Sequence, residues 1–417
     1  MSDTISSNVK KLALFLASAA FALLAGCGKQ GSEAEPPANF SVVPGDASVI
    51  VSWDAEPDVD YWIFFGTGTG ITTENWANRN GVAIPGATSP RIITGLRNGV
   101  TYSFTINGRK DRGPGGPGAP TVEATPTVAG STWAPGAPLG TARLDSITAG
   151  TLITGFGVAA VGEGGAIFLG VNGVPLAPVA STPAGTADLT AVWYGLFRFF
   201  AGGTNGTLME SLDGVTWVAR TSGTTATIHG GATSLANLVV GVGTGGVVLT
   251  STDGTNWSTP NSGSNNDLYA VTYGGQRFVA VGAQGTMIVS GDGTSWGTLS
   301  QFTDRDLRGV AFAAIPSADG VTFANTYVAV GAGGTVLAST DGIGWTVQPP
   351  FTTVNLTAVT YGGRFVAVGE GGAIFTSING IDWEAQSSGT TDTLRSVVRQ
   401  LSGYTAVGDQ GTNVSTF

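Results

Sequence analysis

The chain is poor in the residues that carry most enzymatic and metal chemistry. It has one cysteine, Cys27, and one histidine, His229, in 417 residues. No internal disulfide can form, and a zinc site built from His and Cys ligands cannot be assembled. A Ser-His-Asp triad would have to use His229, and no G-x-S-x-G elbow stands near it. Lysine is nearly absent as well, with Lys10, Lys11, Lys29 and Lys110 the full set. Without a basic stripe to neutralise phosphates, nucleic-acid binding is disfavoured. The one long apolar run, Leu12 to Leu24, is too short for a comfortable membrane span.

That run follows Lys10-Lys11 and ends in Ala25-Gly26-Cys27, the layout of an export leader with a small-residue cleavage site. Residues 1–26 are therefore expected to be removed. Leu24-Ala25-Gly26-Cys27 resembles the bacterial lipobox, which implies that Cys27 is lipidated and becomes the first residue; a bare secretory leader is the alternative. Gly28 in place of aspartate resembles the outer-membrane sorting pattern. Residues 27–37, with Glu33, Glu35 and Pro36-Pro37, are expected to form a lipidated flexible tether. Cleavage removes Asp3, Lys10 and Lys11, leaving 27 acidic and 16 basic residues and a net charge of −11.

What is abundant is glycine in a fixed pattern. The motif V-G-x-x-G stands at 161–165, 242–246, 281–285, 330–334, 368–372 and 407–411, with a worn copy at 202–206. Seven copies at steps of about forty residues are the period of four short strands and their turns. A unit that small cannot bury its own apolar faces, so the copies must stack. First strands are predicted to begin at Leu144, Leu189, Ile228, Leu268, Leu307, Leu356 and Leu394. Five copies place Ser-x-Asp/Asn-Gly before a tryptophan, as in Ser211-Leu-Asp-Gly-Val-Thr-Trp217. Asp-Gly and Asn-Gly suggest type I′ hairpins, and the tryptophan suits the wedge between neighbouring units. The last copy lacks its tryptophan strand, while Gly130-Ser-Thr-Trp133 stands unused before the first. The expectation is a closed seven-bladed β-propeller over residues 129–417, with the Trp133 segment completing the seventh blade.

Residues 38–128 read as a second, non-repeating all-β unit, with alternation in Ala47–Trp53 and Thr101–Asn107. Trp53, Leu96 before Asn98-Gly99, and Tyr102 resemble a fibronectin type III domain. The resemblance implies a β-sandwich in which Tyr102 is the corner tyrosine. The stretch from Gly66 to Ser89, carrying Trp76, is a long insertion for that family, and Trp76 suits packing under a loop.

The Ser-x-Asp-Gly-x-x-Trp signature resembles the Asp-box, or BNR, repeat of sialidase-like propellers and the propellers of photosystem II assembly factors. Here Asp and Gly are adjacent, where the usual box has a residue between them. The sialidase likeness implies three converging arginines; Arg198, Arg277 and Arg364 are tempting but share one repeat position, which is a turn role. The V-G-x-x-G turns carry Glu163, Glu370 and Asp409 in blades 1, 6 and 7, contiguous only if the ring closes. Blade connections on that face add Asp188, Asp267, Asp304, Asp306 and Asp392, and Arg308 and Arg395 approach the same mouth. Such a face attracts basic partners or cations, calcium being the ion it would take; no other cofactor is called for. The expected function is a non-catalytic binding or assembly scaffold, lipid-anchored in the cell envelope at the outer membrane, with protein or polysaccharide partners. The alternative is a secreted carbohydrate-active enzyme.

Overall fold

A computed structural model describes residues 31–180, 184–316, 323–401 and 403–416. The leader, Cys27 and the start of the tether lie outside the described residues. All regular structure among the described residues is β-strand and short 3-10 turns. No helix among them is long and apolar enough to cross a membrane.

The described residues fall into two compact units. The first comprises residues 31–41, 52–91 and 102–123, and holds a five-stranded sheet. Its long central strands, Val59–Thr67 and Tyr102–Lys110, pair antiparallel over nine positions. Part of the expected tether is not a tether: Ser32–Ala34 pairs with Tyr102–Lys110, Ser32 opposite Lys110. An open sheet edge offers amides and carbonyls that an adjacent extended segment satisfies, and Pro36-Pro37 ends the pairing. The 66–89 stretch is ordered as well. Val82–Ala87 pairs with Val59–Thr67, and Trp76 packs on Phe64 with ring centroids 5.6 Å apart. Trp53 lies just past the end of strand Ser48–Ser52 and is buried against Tyr61 at 5.6 Å.

The second unit comprises residues 42–51, 92–101 and 124–416. Besides the small sheet of Ser41–Gly45, Ser48–Ser52 and Arg91–Thr94, it contains seven antiparallel sheets that follow one another along the chain. Their first strands begin at the seven predicted leucine and isoleucine positions. Each first strand packs against the next, and the seventh against the first, so the sheets form a ring around a central channel. Second strands are sealed between blades on both faces, as in Phe365–Val368, which has no exposed surface. Blade 7 takes its fourth strand from the other end of the domain: Trp133–Pro135 pairs with Asn413–Thr416, Trp133 opposite Thr416. The seam is more than a strand pairing. The Gly130 amide donates to Thr416 Oγ1 (3.2 Å) and the Trp133 indole donates to the Gly130 carbonyl (3.1 Å). Thr416 thus stands where Ser211 stands in blade 2, and Ala129 where Asp213 stands.

The repeated box works differently from the expected type I′ hairpin. Only its glycine has positive φ, as in Gly214 (78°) and Gly254 (77°); the aspartate does not. The aspartate is used as a cap: Asp253 Oδ1 accepts the amides of Thr255 and Asn256, both at 2.8 Å. The Ser251 hydroxyl accepts the Gly254 amide at 2.8 Å, and the Trp257 indole donates to the Gly254 carbonyl at 2.9 Å. The tryptophan then fills the wedge toward the preceding blade, as Trp217 does among Leu152, Ile167 and Phe199.

These caps have a pH consequence. The amide of Asn256 first, then its side chain, holds the Asp253 carboxyl well below the usual carboxylate range; the Ser295 amide does the same for Asp292 and the Ile343 amide for Asp341. Folded pKa values below the unfolded value mean stability that is present above about pH 4 and lost as pH falls beneath it. The melting temperature of the protein should drop between pH 4 and 2. In blade 6 Asn379 caps Ile381 and Asp382 equally well, both at 2.9 Å. The triple replacement D253N/D292N/D341N should therefore melt within a few degrees of the parent at pH 7 and lose much of the acid dependence. An unchanged acid slope in calorimetry would remove the caps as its cause.

The V-G-x-x-G motif forms a one-turn 3-10 link at the opposite end of each blade. Its final glycine is obligatory twice over. Gly246 has φ of 73°, and a Cβ there would overlap the Ser264 carbonyl oxygen. In blade 2 Gly203, not Gly202, begins the turn.

Candidate functional site at the channel mouth

Each first strand opens on Leu or Ile, then carries one variable residue, then a small one. The triplets are Leu144-Asp-Ser, Leu189-Thr-Ala, Ile228-His-Gly, Leu268-Tyr-Ala, Leu307-Arg-Gly, Leu356-Thr-Ala and Leu394-Arg-Ser. The leucines and isoleucine are fully buried anchors. The small residues allow neighbouring blades to touch: a Cβ on Gly309 would stand 2.9 Å from the Val359 amide nitrogen. Between them the pairing register shifts in all seven blades, so the variable residue is a β-bulge. A bulge re-aims its side chain and leaves it outside the ladder. Asp145, Thr190, His229, Arg308, Thr357 and Arg395 accordingly line a cavity of about 550 Å³ at the mouth of the channel.

The bulge side chains are tied laterally, blade to blade. Thr190 and Thr357 donate to the Ile228 and Leu394 carbonyls of the next blade, each at 2.5 Å. The His229 ring meets the Tyr269 ring edge-on at 5.7 Å, and the Arg308 guanidinium lies 4.1 Å over Tyr269. Arg308 also donates to Asp306 at 2.8 Å. Across the closing seam, Arg395 lies 3.9 Å from Asp145 and 2.5 Å from Asp409, and Arg143 donates to Asp145 at 2.8 Å.

Burial sets the protonation of this mouth. It pushes the Asp145 carboxyl up, while the Arg143 bond and the Arg395 charge oppose it. The same bond to Asp145 raises the Arg143 guanidinium further. Burial pushes His229 down, against the pull of Asp267 and with the help of Arg308. Burial thus favours the neutral form of the His229 imidazole, whose Nε2 lies 3.0 Å from Thr244 Oγ1.

Of the residues singled out from sequence, Arg308, Arg395 and Glu370 line the mouth. Asp409 is joined to it through Arg395. Glu163 is exposed on its turn beside the mouth, where its charge acts on Arg143. Glu370 accepts from Asn355 at 3.0 Å. The acids do not converge on an ion: among the described residues no three His, Cys, Asp or Glu side chains gather as a metal-ligand set. Several connection acids are structural. Asp188, Asp267 and Asp306 accept the amides of Gly164, Gly245 and Gln284, the middle residues of the preceding blade's turn, at 2.8 to 3.0 Å. Arg198, Arg277 and Arg364 stand on blades 2, 4 and 6 at the other end of the strands. Arg198 is bonded to Glu210 of its own blade at 2.8 Å, and Arg277 packs against Gly342 of the next. They do not form a convergent carboxylate clamp.

Sequence reasoning passed over Asp145, Arg143 and the role of His229. The signal was present in the alignment of the seven first strands, where one column varies between two that do not.

No family model matches this chain, and no curated relative matches it. Similar solved structures share the ring. YCF48 bound to D1 peptide is 14% identical, with a TM-score of 0.53 over 68% of this chain and 94% of that one. YCF48 from Cyanidioschyzon merolae is 14% identical, with a TM-score of 0.52 over 68% and 98%. The WD40 β-propeller domain of Doa1 is 13% identical, with a TM-score of 0.53 over 69% and 97%. The chain is thus an all-β protein that shares the β-propeller fold with these structures.

Proposed function

We propose that this chain is a lipid-anchored cell-envelope scaffold that holds a polar segment of a partner protein at the channel mouth of its propeller. One observation carries the reading. In a repeat fold, positions that serve folding recur from blade to blade, whereas the bulge column diverges: Asp, Thr, His, Tyr, Arg, Thr and Arg. Divergence at a position that lines the cavity in six of the seven blades is the mark of recognition rather than scaffolding. The mixed charges, the threonine hydroxyls and the His229 ring suit a polar chain that offers both donors and acceptors. A similar propeller is one solved with a peptide bound. A polysaccharide partner draws on the same hydrogen-bonding groups. On this reading the chain from Cys27 to residue 128, fibronectin-like over 38–128, links the lipid to the ring.

The test compares the parent with R308A/R395A and with E163Q as a control outside the cavity. Partners captured from envelope extracts should be retained by the parent and by E163Q. Retention of those same partners by R308A/R395A should fall at least about tenfold, since each charge-assisted contact contributes on the order of 1.5–3 kcal/mol. Equal retention by all three would end the reading. Separately, radiolabelled palmitate should enter the parent and not Cys27→Ser.

A further inference from the structure

Six tryptophans serve seven wedges. Trp217, Trp257, Trp296, Trp345, Trp383 and Trp133 each pack between their own blade and the one before it. The seam between blades 7 and 1 has none. The strand register shows what stands there instead. Val158 pairs with Gly170 as Phe199 pairs with Ser211, and Leu169 with Ala177 as Glu210 with Val218. Leu176 therefore holds the place of Trp217, Gly170 that of the box serine and Gly173 that of the box glycine. Val158 itself stands where five of the other six blades place Phe or Tyr.

The facing wall of blade 7 departs from the repeat as well. Thr405 occupies the position of Ala159, Phe200, Val240, Val279, Val328 and Val366, and Asn413 a position that is Ile, Leu, Val or Met in the other blades. Smaller side chains on one wall and polar ones on the other leave a cavity of about 920 Å³ along this seam. Phe156, Phe168 and Leu176 line it on blade 1, Thr405 and Ser415 on blade 7, and Ile50 of the same unit bounds it beside Gly173. The hydroxyls are organised: the Gln400 amide donates to Thr405 Oγ1, which lies 2.7 Å from Ser415 Oγ. Asn413 holds the closing segment, donating to the Ala137 carbonyl at 2.6 Å. Among the described residues no charged side chain lines the cavity.

We propose that this seam is a binding site for a small uncharged aromatic molecule carrying one N–H or O–H group. Its ring takes the space that an indole fills in the other six seams, and its polar edge meets the hydroxyls of Thr405 and Ser415. Three observations select that chemistry. The repeat supplies the template, since the same wedge closes elsewhere over a tryptophan. A cavity of this size with an apolar wall and a few placed polar groups is the usual build of a small-molecule site. A charged ligand would find no counter-ion in it. The fold does not require the space, because interiors pack closely and the six other wedges are filled. The site shares no residue with the channel mouth and does not rest on the reading given for it.

The test follows 5-fluoroindole by fluorine NMR in the presence of the full chain. The parent should broaden the fluorine line, with a dissociation constant below about 1 mM. Leu176→Trp restores the repeat; it should weaken binding at least about tenfold and raise the melting temperature by a few degrees. Val158→Phe fills the same wedge from the second strand and should weaken binding by a similar factor, which keeps the test open if the first variant does not fold. Thr405→Val should weaken 5-fluoroindole about fivefold, the loss of one neutral hydrogen bond, and leave 1-fluoronaphthalene unchanged. No broadening by the parent, binding untouched by both filling variants, or an equal loss of both probes in Thr405→Val would overturn the proposal. So would tighter binding of 1-octanol, which would make the seam a site for a hydrocarbon chain, or of N-acetyltryptophanamide, which would give it to a side chain of a partner protein.

Discussion

Removing residues 129–140 should sharply lower the melting temperature of the propeller. The segment supplies the fourth strand of blade 7, the Gly130 and Trp133 halves of its box, and the buried surface of Ala129 and Trp133. Trp133 packs among Val366, Ile374, Tyr404 and Val414, its ring centroid 6.3 Å from that of Tyr404. Truncating such a tryptophan to alanine costs about 3–5 kcal/mol, which in a domain of this size lowers the melting temperature by roughly 10 °C. The deletion adds the loss of the strand hydrogen bonds and leaves Asn413–Thr416 as a bare edge beside apolar seams, so light scattering should report association as well. The graded pair, W133A and the deletion, separates packing from closure. A deletion that melts with the parent would mean that the ring does not depend on its seam.

Glu210→Ala should be the most damaging single charge removal in the described residues. Glu210 is buried in blade 2 between two arginines, Arg198 at 2.8 Å and Arg220 at 2.5 Å. Both arginine side chains are about three-quarters shielded from solvent. Taking away the carboxylate leaves two like charges facing each other without a counter-ion, and breaking a buried pair in this way costs about 3–5 kcal/mol. The equivalent residues of other blades are Thr250, Val289, Ala338 and Thr376, so the fold does not require an ion there. A triple exchange of Arg198, Glu210 and Arg220 for leucine or methionine should consequently recover most of the loss. If E210A and the triple variant melt alike, the charge argument fails and the site is a matter of packing alone. The same triad bears on function. An arginine already committed to Glu210 is unavailable as a substrate clamp, which removes one of the three arginines that the sialidase likeness made tempting.

Much of this protein was legible before folding because a repeat writes its own alignment. The glycines of V-G-x-x-G and the box residues from Ser to Trp recur because each answers a local demand: a positive φ, an overlap only glycine avoids, a pair of amides needing a cap. Local demands leave local signatures, and the first residues of seven strands could be read from them. The turn type within the box was misjudged for a related reason. Asp-Gly in isolation favours I′, and only the serine and the following amides, drawn in by the tertiary wedge, convert the aspartate to a cap.

The mouth was not legible in the same way. Asp145 and Arg395 are 250 residues apart in sequence and meet only because the closing strand makes blade 7 the neighbour of blade 1. The varying column in the seven first strands marks Asp145, but that its side chain leaves the ladder is told only by the register shift between Leu144 and Ser146, and a register exists only between strands. The sequence by itself determined the period, the number of blades and the identity of the strand that finishes the ring, since these depend on residues adjacent in the chain. The tertiary structure decided that the bulge side chains of six blades share one cavity and which acids are clamps rather than ligands, because each of these depends on neighbouring blades meeting around a closed circle.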